Sequence, residues 1–143
     1  MRYCIFALIT ILLIFNVSVI YGQETADLEN QVAKYEKEGN LLELARCQAK
    51  LGYLYKEKNN IQKSIEFFQK AVKTNESLGN MNAVKNLCVN IGLMYTELDN
   101  YDQALTFFKR SLKLSEKQGK KPDVLADLIN IAQVQQNLKN YTE

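Results

Sequence analysis

The chain has 143 residues, with 18 Lys and Arg against 16 Asp and Glu, no His, no Trp, three Cys and one Pro. Without histidine there is no Ser-His-Asp or Cys-His nucleophile pair, no His-ligated zinc and no imidazole proton shuttle. A formal charge of +2 is too small to point to nucleic acid, and a chain that is 47% hydrophobic with one Pro and six Gly favours helices over loops or disorder.

Residues 1–22 read as a secretory signal. One basic residue, Arg2, precedes an apolar stretch from Ile5 to Ile20, and small residues follow near Ser18 and Gly22. The stretch is short for a membrane span, which takes roughly 20 apolar residues. Cleavage after Gly22 leaves Gln23 as the new N-terminus; an uncleaved N-terminal anchor is the competing reading, and the only one that involves a membrane. The processed chain loses a single charge, that of Arg2, and keeps two cysteines, Cys47 and Cys88. Both sit at apolar positions of helical patterns, so buried packing is preferred to a disulfide or a reactive thiol.

From residue 23 onwards the chain repeats itself every 40 residues. Gly39, Gly79 and Gly119 share one slot, Leu51, Ile91 and Ile131 another, and Gly52, Gly92 and Ala132 a third that is always small. Tyr55 matches Tyr95, Phe67-Phe68 matches Phe107-Phe108, and Asn60, Asn100 and Asn140 correspond. Residues 23–39 read as a helix lacking its partner, 40–79 and 80–119 as full units, and 120–143 as an incomplete third. Each full unit divides into two amphipathic helices, over 41–58 and 61–78 and then 81–98 and 101–118, with the last unit opening on a helix over 121–138. Asn60 and Asn100 stand where N-caps are needed, Gly39, Gly79 and Gly119 suit left-handed helix ends, and Pro122 falls in a first turn. A lone helical hairpin cannot hide its apolar face, so neighbours stack. The small slot lets paired helices approach, with the Phe of the second helix filling the space. Asn140-Tyr141-Thr142-Glu143 matches Asn100-Tyr101-Asp102-Gln103, and reads as the opening of another helix in a truncated array.

Leu51-Gly52-x-x-Tyr55 followed by Ser64-x-x-x-Phe68, and Ile91-Gly92-x-x-Tyr95 followed by Ala104-x-x-x-Phe108, resemble the tetratricopeptide repeat (TPR). Gln48, Cys88 and Leu128 stand where that family favours Trp, and Glu76 and Glu116 where it has a terminal Pro. The longer period resembles repeats of kinesin light chain and of bacterial extracytoplasmic sensor modules. The resemblance implies an all-α fold of stacked antiparallel helical hairpins, a segment of a right-handed superhelical solenoid. It also implies a protein or peptide partner held in a concave groove lined by the first helix of each unit.

The polar residues left over after packing supply that groove: Arg46, Lys50, Tyr53 and Glu57 on one helix, Asn86, Asn90, Leu93 and Glu97 on the next, and Ala126, Asn130, Gln133 and Asn137 on the last. Steps of four, three and four place each set on one stripe. Asn90 and Asn130 hold equivalent slots, where an amide can both donate to and accept from an extended backbone; Lys50 breaks the ladder. The bland alternative is an ordinary wet face. A carboxylate clamp of the kind known in chaperone-binding TPR proteins is rejected, because Arg46 and Lys50 are the only basic residues of the stripe. The basic cluster of Lys109, Arg110, Lys113, Lys117, Lys120 and Lys121 reads as a solvated helix end rather than an anion surface. No Walker loop, G-x-S-x-G, H-E-x-x-H or C-x-x-C occurs. The sequence therefore reads as a non-enzymatic, exported (periplasmic or secreted) interaction module needing no metal or cofactor. It could form the sensory front of a signalling protein such as a sensor histidine kinase. The alternative is a structural spacer that self-associates through its uncapped C-terminal end.

Overall fold

The computed structural model describes residues 23–142; the signal read over 1–22 lies outside them. A first helix, α1, covers residues 23–38. It is followed by α2 (Leu41–Glu57), α3 (Ile61–Ser77), α4 (Met81–Glu97), α5 (Tyr101–Lys117) and α6 (Lys121–Thr142). Consecutive helices from α2 to α6 pack on one another, so the expected all-α stack of antiparallel hairpins is what the described residues form. Helices α2 to α5 are 17 residues long, and their starts are 20 residues apart. The 40-residue repeat of the sequence therefore contains two structurally equivalent halves.

The connections explain the uniform length. In each, the residue after the C-cap is left-handed: Gly39, Asn59, Gly79, Asp99 and Gly119 have φ of 67°, 57°, 69°, 55° and 66°. The next N–H then reaches back to the helix it has left, as Asn60 N–H does to the Tyr55 carbonyl at 2.8 Å and Asn100 N–H to that of Tyr95 at 2.8 Å. This closure satisfies carbonyls that the helix end would otherwise leave open. The same Asn opens the next helix. Asn40, Asn60, Asn80 and Asn100 each accept, on Oδ1, from the backbone N–H three residues on, at 3.2–3.4 Å. Sequence reading had assigned caps to Asn60 and Asn100 and left-handed turns to the three glycines; the structure adds Asn40 and Asn80 as caps and Asn59 and Asp99 as turns. Asn and Asp are the non-glycine residues that tolerate this conformation best.

One expectation is corrected. Asn140 was expected to cap a new helix, but α6 runs on through it to Thr142. Lys139 stands where Asn59 and Asp99 turn the chain, and lysine lacks the short polar side chain that makes Asn and Asp tolerant of the left-handed conformation. The helix simply continues.

The core lies between the helices in three patches. Leu28 packs with Cys47, Leu51, Leu54, Tyr55 and Phe67, Phe68 with Leu87 and Ile91, and Phe108 with Ala104, Ile131 and Val134. A Cβ added to Gly52 would lie 2.5 Å from Phe68 Cδ1, and one added to Gly92 2.8 Å from Phe108 Cε1. The small slot is therefore a contact requirement in both units, as its repetition suggested. Stacked pairs Tyr55–Phe67 (centroids 5.5 Å, 8° apart) and Tyr95–Phe107 (5.7 Å, 22°) recur alongside it.

Candidate functional site

Helices α2, α4 and α6 are the first helices of their units, and their outer stripes face solvent. Arg46, Lys50, Tyr53, Asn86, Leu93, Glu97 and Gln133 are exposed, and Asn90 and Asn130 half-buried. The stripes of α2 and α4 touch: Asn90 Nδ2 donates to Tyr53 Oη at 3.0 Å, and Lys56 lies 3.9 Å from Glu97. Lys50 instead turns toward α1, pairing with Glu24 at 3.1 Å, while Arg46 is engaged by Glu43 on its own helix at 2.6 Å. Both pairs are largely exposed and contribute little to stability.

Between neighbouring first helices the surface dips. A cleft of 340 Å³ between α2 and α4 brings together Arg46, Tyr53 and Asn86, over Ala45, Ala83 and Leu87. The next, of 290 Å³ between α4 and α6, brings together Asn86, Asn90, Ala126 and Asn130. Its depth is polar, which the sequence reading missed. Lys85, Ser111, Asp123 and Asp127 line it. Lys85 pairs with Asp123, whose carboxyl is held below the usual range by that ammonium. Ser115 Oγ donates to Asp127 Oδ2 at 2.7 Å, in the interior. The signal was available in the repeat: Asp127 stands where the other units have Leu87 and Cys47, Ser111 where one has Ala71, and Lys85 where they have Ala45 and Leu125. Ser111 Oγ is buried with no hydrogen-bond partner. Removing an orphaned buried hydroxyl relieves its desolvation cost. Ser111→Ala is therefore expected to stabilise the fold by about 1 kcal/mol, measured by urea unfolding; a net loss of stability would show that the hydroxyl is satisfied.

Models of the tetratricopeptide repeat match residues 82–143 and 45–78, together covering most of the chain and both units in which the Gly–Phe contact is found. The chain belongs to the tetratricopeptide-repeat family. No curated protein matches it in sequence. Among solved structures, this TPR chain is similar to BtubC (BKLC) from P. vanneervenii, at 17% identity and a TM-score of 0.69 over 82% of the chain. It is similar to the apo form of RapI at 18% and 0.68, and to aspartyl phosphate phosphatase F from Bacillus subtilis at 20% and 0.69, each again over 82%. These likenesses show the fold. The chain spans only 50%, 43% and 31% of the respective structures.

The remaining sequence-level candidates fall outside the TPR clefts. In the basic cluster, Arg110 pairs with Glu76 across α3 and α5, and Lys120 Nζ donates to Asn82 at 2.8 Å. Among the described residues, no group of acids and cysteines could hold a metal, and no helix is long and apolar enough to cross a membrane. Cys47 and Cys88 are both buried and free, and burial pushes the Cys88 thiol up to about 11. A thiol raised in the folded state binds its proton more tightly there than in the unfolded chain. Its contribution to stability is then full below about pH 9 and lost as pH rises toward 11. Cys88→Ala is expected to flatten the decline in urea midpoint over that window; an unchanged slope would rule out the linkage.

Proposed function

TPR chains are protein-interaction modules, and we propose that this one grips an extended segment of a partner protein in the groove formed by α2, α4 and α6. The observation that carries the reading is the continuity of the stripe: Tyr53 and Asn90 are bonded across two helices, and Asn90 and Asn130 line one cleft. Amides at a repeated slot can hold a peptide backbone without reading its side chains. Lys50 is taken up by Glu24, so the ladder has two rungs rather than three. The proposal includes export, on the strength of the apolar stretch from Ile5 to Ile20. It also places the module at the sensory front of a longer signalling protein, a sensor histidine kinase being the reading that the layout of signal and long repeats favours. The test is capture of a partner from the periplasmic or secreted fraction with the full chain, repeated with Asn90→Ala and Asn130→Ala. Loss of capture with helicity intact supports the groove; undiminished capture by the double variant refutes it.

A second reading, a spacer that self-associates, is favoured by α6, where Leu125, Leu128 and Ile129 are 61%, 47% and 60% exposed. Neighbouring apolar residues on one helix invite a covering surface. Sedimentation velocity decides it: a species that grows with concentration and is abolished by Ile129→Lys supports the spacer, and a monomer at all concentrations excludes it.

A further inference from the structure

The two clefts of the groove are built at equivalent places in the repeat, yet only one has a charged floor. Where the α2–α4 cleft has Ala45, Ala83 and Leu87, the α4–α6 cleft has Lys85, Asp123 and Asp127, with Ser111 beneath them. One of these groups lacks a hydrogen-bond partner and another lacks a countercharge. Ser111 is 0% exposed and its hydroxyl meets no partner. Asp127 is 2% exposed and its carboxylate is met by the neutral Ser115 hydroxyl. The Lys85 ammonium is engaged by Asp123, leaving Asp127 as the unbalanced charge of the cleft. A buried polar atom without a partner is rare in native proteins and calls for an explanation. A buried carboxylate calls for a cation.

We propose that the α4–α6 cleft takes a basic side chain, arginine or lysine, of the peptide bound in the groove, its cation lying against Asp127 and donating to Ser111 Oγ. This rests on the groove reading and names the chemistry of one anchor within it. Asn90 and Asn130 sit in the same cleft and hold the backbone on either side of the anchor. At 290 Å³ the cleft is at the small end of ligand sites, the size for one long side chain and not for a cofactor. Charge-assisted hydrogen bonds to Asp127 and Ser111 supply the attraction, and arginine, with its rigid fork of five donors, suits two acceptors better than lysine does.

The test titrates the ¹⁵N-labelled full chain with a capped pentapeptide carrying arginine between glycines, and with its norleucine counterpart. The arginine peptide is expected to move the amide resonances of Ser111, Asp127 and Asn130, and to lose about tenfold in affinity on Asp127→Asn, the size of one charge-assisted bond. Asp127→Asn keeps an acceptor for Ser115, and Ser111→Ala installs the residue already present at Ala71, so both variants retain the fold; Ser111→Ala is expected to weaken binding by a smaller factor. Equal binding of the two peptides, or equal binding by Asp127→Asn, overturns the cationic anchor. If shifts at Asn90 and Asn130 then persist with both peptides, the groove stands without it. Shifts with neither peptide also overturn the anchor, while the groove is judged by the capture experiment.

Discussion

Phe108→Ala is expected to lower the stability of the fold by about 3–5 kcal/mol, the range for emptying a buried aromatic site. The ring is 1% exposed and packs against Ala104 on its own helix and Ile131 and Val134 of α6. On its far side it lies against Gly92 of α4. It thus joins three consecutive helices, as Phe68 does one unit earlier, and alanine leaves a hole that none of them can fill without moving toward the others. Lys109→Ala, on the exposed face next to it, is expected to change stability by less than about 0.5 kcal/mol. Urea unfolding followed by circular dichroism reads both. A loss under about 1 kcal/mol for Phe108→Ala would mean that the ring is not a joint of the array.

The opposite error, adding volume where the helices touch, is expected from Gly52→Val. The first added carbon alone would stand 2.5 Å from Phe68, whose ring is fully buried and held edge-on by Tyr53 at 4.9 Å between centroids. Ser64 Oγ also donates to the Gly52 carbonyl at 2.6 Å, so α2 and α3 cannot slide apart without breaking a buried bond. A cost of about 3 kcal/mol, the upper end for overpacking, is expected. Valine gains little helix propensity over glycine to offset it. The second-site change Phe68→Leu removes the colliding ring atoms and is expected to restore part of the loss, a non-additivity that a double-mutant cycle measures. Simple additivity would show that the clash is relieved elsewhere. The third copy of this slot holds Ala132, which is exposed.

Much of this architecture was legible because its causes are local. A 40-residue recurrence of Gly, Tyr, Asn and Phe-Phe identified the hairpins, and the helix bounds fell within a residue of expectation except in α6. There the misreading had a specific source. Asn140 matches Asn100 by type, but a cap works only if the chain has already turned, and the turn depends on the residue before it. Asp99 turns and Lys139 does not. The groove stripe was legible as a row of polar residues with helical spacing. Its deeper half was legible only as polar residues in repeat slots that are apolar elsewhere, Ser111 against Ala71 and Asp127 against Leu87 and Cys47; that these slots meet under one cleft was not.

Helix length, the order of first and second helices, the Asn caps and the slots that must stay small were determined by the amino-acid sequence alone. Each depends on side chains within one or two turns of each other, or on a demand for minimal volume that any packed neighbour would impose. Tertiary structure alone decided that Asn90 reaches Tyr53, that Lys85 meets Asp123 from 38 residues away, and that a serine and an aspartate became the floor of a cleft. Burial belongs to the stack and not to the helix: the same side chain is solvated or enclosed according to where the next hairpin comes to rest.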